Sequence, residues 1–81
     1  MSSVYPNPFT SHCSISLQVK AQNDCRIVLT DIAGKTVYSS INTILQPGTY
    51  IFPLDVDLST GTYIVTIYVG SNLFTHKLIK L

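Results

Sequence analysis

Apolar residues fall on every second position through most of this chain, and no stretch repeats at the helical period. The clearest case is Leu58–Val69, rich in β-branched and aromatic residues and punctuated by Gly61 and Gly70. Tyr63, Val65, Ile67 and Val69 share one face there, and Thr66 and Tyr68 soften the other. This stretch is expected to be the central strand. Cys13–Lys20 alternates as cleanly, with Ile15, Leu17 and Val19 against Ser14, Ser16 and Gln18. Cys25–Asp31 places Ile27 and Leu29 inward and Arg26 and Thr30 outward, with Val28 ambiguous.

Turn signals separate these runs. Ala21–Asp24 reads as a turn that makes a hairpin of its two flanks. Ile32–Lys35 reads as a short hairpin loop with Gly34 left-handed. Thr36–Ile41 returns as a strand, Val37, Ser39 and Ile41 alternating against Tyr38. Asn42–Gln46 reads as a loose connection. Pro47-Gly48 opens a short strand, Thr49–Leu54, which Pro53 ends or confines to a sheet edge. After a last turn at Gly70-Ser71-Asn72, Leu73–Leu81 is the final strand. At the start, Pro6 and Pro8 exclude a central strand, so Val4–Phe9 is expected to be an edge strand running into a rigid turn anchored by Tyr5 or Phe9.

The sum is about seven strands with short connections, an all-β antiparallel β-sandwich. Gly61, one residue, then Tyr63 resembles the tyrosine corner of immunoglobulin-like sandwiches, in which the Tyr hydroxyl bonds back to the chain upstream. Val65 stands where an antibody domain carries its disulfide cysteine, so the domain is not of antibody type. Gly48-Thr49-Tyr50 echoes Gly61-Thr62-Tyr63, which reads as one turn-into-strand device used twice.

Composition narrows the function classes. At 81 residues the chain is one small domain. Met1-Ser2-Ser3 reads as the leader of an expressed fragment and residues 4–81 as the domain. A net charge of +1, with Lys20, Arg26, Lys35, Lys77 and Lys80 scattered, offers no cationic cluster for nucleic acid. No apolar run is long enough for a transmembrane segment. On the hairpin register Cys13 lies opposite Ile32 and Lys20 opposite Cys25. The two sulfurs are then about 23 Å apart at ~3.3 Å per residue, and both thiols are expected to be free.

Candidate chemistry is sparse, and the chain is not expected to be an enzyme or to need a cofactor. His12 and Cys13 are adjacent strand positions and point to opposite faces, so they make no dyad. His76 alternates with Phe74 and Leu78 and reads as a packed or surface histidine rather than a ligand. Asp55 and Asp57 near a loop are a weak Ca²⁺ signal, better read as solvated acids. Tyr38 and Tyr68, read as exposed, could form a sugar platform, but cross-strand packing is the better reading.

The order of short motifs goes further. Val4-Tyr5-Pro6-Asn7-Pro8-Phe9 comes first, then Leu29-Thr30-Asp31-Ile32-Ala33-Gly34-Lys35-Thr36-Val37, then Leu58-Ser59-Thr60-Gly61-Thr62-Tyr63, and finally Lys77-Leu78-Ile79-Lys80-Leu81. Together they resemble the C-terminal sorting domains of the type IX (Por) secretion system, over nearly the whole chain. Thr30 in place of an aromatic, Ala33 in place of a bulkier apolar residue, and the two cysteines depart from that pattern. The resemblance implies an immunoglobulin-like domain at the end of a larger exported cargo. Such a domain is read by the outer-membrane translocon from the periplasm and removed by a sortase-like protease on surface attachment or release. It also implies that Lys77, Leu78, Ile79, Lys80 and Leu81 belong to the sorting signal. A partner would pair with the edge of that strand or grip its terminal carboxylate. Tyr5, Pro6, Asn7, Pro8, Gly34, Gly48, Leu58, Gly61 and Tyr63 would be the structural motif. A different reading of the same strands is a stand-alone accessory module of a secreted hydrolase, binding carbohydrate or spacing domains.

Overall fold

The computed structural model describes residues 2–40, 42–54 and 56–81. It contains two antiparallel sheets packed face to face. The first has the order β1 (Ser2–Tyr5), β2 (Cys13–Val19), β6 (Gly48–Leu54). The second runs β4 (Thr36–Ser39), β3 (Asn23–Asp31), β7 (Gly61–Val69), β8 (Asn72–Lys80). A short β5 (Thr43–Leu45) also pairs with β3. The alternating pattern is what closes this sandwich: each strand has one apolar face, and two such sheets can bury those faces only against each other. Ile15, Leu17 and Val19 from β2 meet Ile27 and Leu29 from β3, Tyr63, Val65, Ile67 and Val69 from β7, and Leu78 from β8. As expected, β7 is central, flanked by β3 and β8.

Three expectations need correction. The runs on either side of Ala21-Gln22 do not form a hairpin. β2 pairs with β1 and β6, β3 pairs with β7, β4 and β5, and the turn carries the chain from one sheet to the other. Alternation could not distinguish these cases, because a strand buries the same face whether the next strand lies beside it or across the core. Among the described residues there are eight strands where about seven were expected, and the addition is β5. Thr43–Leu45, inside the expected loose connection, pairs with Asn23–Cys25, while β4 pairs further along with Val28–Thr30. Ser40 spans the gap: its amide donates to the Ile27 carbonyl and its Oγ accepts from the Ile27 amide, both at 2.8 Å. Finally, Tyr38 is half-buried against the core rather than displayed. Ile41 and Asp55, invoked in the alternation of β4 and in the acidic pair, lie outside the described residues.

Other expectations are met. β6 is an edge strand and carries Pro53 opposite Ser14. Gly34 has φ +88°, the left-handed turn position. Asp31 Oδ1 accepts from the amides of Ala33 and Lys35 at 2.9 Å each, an Asx-type closure of the β3–β4 hairpin.

Cys13 and Cys25 are free and buried. They sit on different sheets, not on one hairpin, yet still at opposite ends: the length of β2 separates them, roughly 20 Å at ~3.3 Å per residue. Burial raises both thiol pKa values above the ordinary 9.0, with Asp24 adding to the effect at Cys25. Unfolding exposes thiols that ionise more readily. Their contribution to stability is therefore full below about pH 9 and lost as pH climbs through the raised folded values. Two free thiols should titrate under denaturing, non-reducing conditions. The melting temperature should fall more steeply above about pH 9 than in a Cys13→Ala, Cys25→Ala variant. A mass two hydrogens lighter with no free thiol, or identical alkaline slopes, would contradict this account.

Candidate functional site

The tyrosine corner is present twice. The Tyr63 hydroxyl donates to the Ser59 carbonyl at 2.6 Å, four residues upstream, and the Tyr50 hydroxyl donates to the Gln46 carbonyl at 2.7 Å with the same offset. In each case a glycine two positions before the Tyr admits the chain to its strand, at φ +158° for Gly61 and +154° for Gly48. The echo seen in the sequence is thus one construction at two places. Tyr63 is buried and Tyr50 only half-buried, so the first holds the core and the second an edge.

The two corners lie at opposite poles, and the pole of Tyr63 gathers the motifs. Asp31 pairs with Tyr63, and Tyr63 with Leu78, in one row across β3, β7 and β8. Gly61 pairs with Lys80. The Asp31–Lys35 turn, the Leu58–Tyr63 entry and the Lys77–Leu81 tail therefore share one end of the second sheet. The remaining motif joins them from the first sheet. β1 ends at Tyr5, two cis peptide bonds follow at Tyr5-Pro6 and Asn7-Pro8, and the chain crosses to the outer edge of β8.

There it is held closely. The Asn7 side chain donates from Nδ2 to the Lys77 carbonyl at 2.6 Å and accepts at Oδ1 from the Ile79 amide at 3.0 Å. Phe9 continues the pairing with its backbone: its amide donates to the Ile79 carbonyl at 3.0 Å and its carbonyl accepts from the Leu81 amide at 2.9 Å. The result is a short parallel bridge between Phe9 and Lys80. The Phe9 ring is 3% exposed and closes the bottom of the core, and the Lys80 ammonium lies 5.7 Å from its centre. Of the two residues expected to anchor this segment, Phe9 does so, and Tyr5 is 44% exposed.

The tail residues differ in their surroundings. Leu78 is fully buried, Ile79 and Lys80 are half-buried, and Lys77 and Leu81 are exposed. Lys80 bonds the Leu81 carbonyl at 3.0 Å and covers Phe9, so it serves the closure of the pole as well as carrying charge. Lys77 lies on the outer face of the second sheet beside Ile64. Leu58 is half-buried and packs on the core near the corner. Gly48 is at the far pole, opposite Val19.

Other candidates are dispersed. His12 is exposed and lies just ahead of β2 rather than in a strand, and Cys13, the first residue of β2, is buried, so the two form no dyad. His76 faces inward, and its Nε2 lies 2.7 Å from the Ser2 Oγ, which joins the start of β1 to β8 across the two sheets. Asp57 is exposed, and its proposed companion Asp55 is outside the described residues. Tyr68 is stacked under the Arg26 guanidinium, 4.6 Å from the ring centre, so Tyr38 and Tyr68 do not form a platform. No helix among the described residues is long and apolar enough to cross a membrane.

Sequence reasoning singled out Asn7 as part of a motif but missed what it does. Its bonds reach residues 70 and 72 positions away. The only local hint was an amide side chain set between two prolines, whose backbones donate nothing.

Among curated proteins no relative matches the chain. A family model described as the secretion system C-terminal sorting domain matches residues 3–81. The four motifs that carried the resemblance lie within that match, and the all-β sandwich agrees with it. The chain belongs to the family of secretion system C-terminal sorting domains, which serve as sorting signals in type IX secretion and imply export to the cell surface or beyond it.

Proposed function

We propose that this domain is a non-catalytic tag whose motif-bearing pole, with Lys77–Leu81 at its centre, is the surface that the type IX outer-membrane translocon reads from the periplasm. In this reading a cargo precedes the domain, and a sortase-like protease removes the domain once the cargo has crossed. The observation that carries the proposal is the convergence of four separated motifs on one pole, with the tail held in place by Asn7 and Phe9. Ser2 pairs with Leu17, toward the other pole. The start of β1 lies beside His76, and from there the tail runs on from Lys77 toward the pole of Tyr63.

Lys77 is the cleanest probe. Its side chain is exposed and only its backbone carbonyl serves the clasp, so Lys77→Ala should change stability by no more than about 0.5 kcal/mol. Lys80→Ala is less clean because it also uncovers Phe9. In a host with a type IX system, a reporter fused to the Lys77→Ala domain should be secreted less than one fused to the native domain, at an unchanged melting temperature. Equal secretion would remove the Lys77 ammonium from the signal. Equal secretion of reporters with and without the domain would remove the sorting role and favour an accessory module.

A further inference from the structure

The outer edge of β8 is open along only part of its length. The bonds from Asn7 and Phe9 fall on Lys77, Ile79 and Leu81, the alternate residues whose backbone groups face away from β7. The carbonyl of Lys77, both backbone groups of Ile79 and the amide of Leu81 are all taken. A partner strand cannot pair with this stretch unless the segment from Asn7 to Phe9 first leaves. This runs against the expectation that a partner adds a strand to the tail. What remains available is the outer face, where Lys77 and Ile79 project beside Ile64 and Thr62 of β7, with Thr30 of β3 next in the row. Those rows contain a cation and half-buried apolar side chains and no carboxylate.

We infer that Asn7 is a positioning residue for sorting: the tail is read while clasped, through the face bearing Lys77, Ile79 and Ile64, by a protein surface that offers a carboxylate within an apolar patch. The inference rests on the sorting role proposed above for Lys77–Leu81. Asn7 performs with one side chain what a neighbouring strand does with its backbone, donating to one outward carbonyl and accepting from the next outward amide. It fixes the tail without covering its face. Phe9 supplies the second half of the clasp and ties it to the core.

The test is Asn7→Ala in the reporter fusion, read two ways. Exchange of the Ile79 amide with deuterium should quicken about tenfold, since its acceptor is gone. Secretion should fall about twofold or more as the clasped population shrinks. If Asn7→Ala lowers the melting temperature enough to blur the comparison, Asn7→Asp replaces it. That variant removes the donor to the Lys77 carbonyl and sets a carboxylate oxygen against it, and this repulsion opens the clasp, so Ile79 exchange is expected to quicken by less than in Asn7→Ala and secretion to fall. Unchanged Ile79 exchange overturns the inference, as does native-level secretion alongside faster exchange. Secretion that depends on the domain but not on Asn7 refutes the clasp alone. Secretion that does not depend on the domain refutes the sorting role as well.

Discussion

Tyr63→Ala is expected to leave the domain largely unfolded. The ring is 7% exposed and packs inward on the central strand, and its hydroxyl closes the corner on Ser59. Removing a buried aromatic costs about 3–5 kcal/mol. A domain of this length has only about 4–12 kcal/mol in all, at ~0.05–0.15 kcal/mol per residue. Tyr63→Phe separates the two contributions. It keeps the ring, deletes the donor to a part-buried carbonyl, and should cost about 1–2 kcal/mol. Tyr50→Phe removes the matching bond at an exposed place and should cost less than Tyr63→Phe. Urea denaturation of the three variants measures all of this. A midpoint for Tyr63→Ala equal to the native one would take Tyr63 out of the core.

The corner was legible because its elements are close in sequence: a glycine, one residue, a tyrosine, and a carbonyl four positions back. The strands were legible for the same reason, since period-two alternation is a local property of the chain. The turn at Asp31–Lys35 was readable from Gly34, although the carboxylate that organises it was not singled out. The hidden features all involve partners distant in sequence. Val19 and Asn23 flank a turn that could have joined two neighbours in one sheet or two strands across the core, and both arrangements bury Ile15, Leu17, Ile27 and Leu29 equally. Thr43–Leu45 is three residues long, too short for a period to register. The clasp needs Asn7 beside Ile79 and Phe9 beside Lys80, and nothing in either segment encodes the other. Two motifs that the sequence presents as a beginning and an end are, in the folded chain, a single structure.

That union makes deletion of the tail the most disruptive change available. Removal of Lys77–Leu81 takes away Leu78, which is fully buried, the pairing of β8 with Gly61–Ile64, and every acceptor and donor that Asn7 and Phe9 use. Loss of the Leu78 side chain alone should cost about 2–5 kcal/mol, and Phe9 would be left without its cover. The truncated domain is expected to show no cooperative melting, and a reporter fused to it is expected not to be secreted. Normal secretion of the truncated form would sink the sorting assignment for this strand. Failed secretion does not by itself say whether the tail is read as a bare peptide or as a folded display, and Leu78→Ala decides between them. Leu78 is beyond the reach of any partner that meets the folded domain, so its truncation leaves the readable surface chemically intact while it destabilises the fold. If the signal is the linear sequence, Leu78 is either part of what is read or dispensable to it, and in both cases secretion should not follow the melting temperature when a second change restabilises the core. If the signal is the clasped pole, secretion should fall together with the melting temperature, and a stabilising second change elsewhere in the core should restore both.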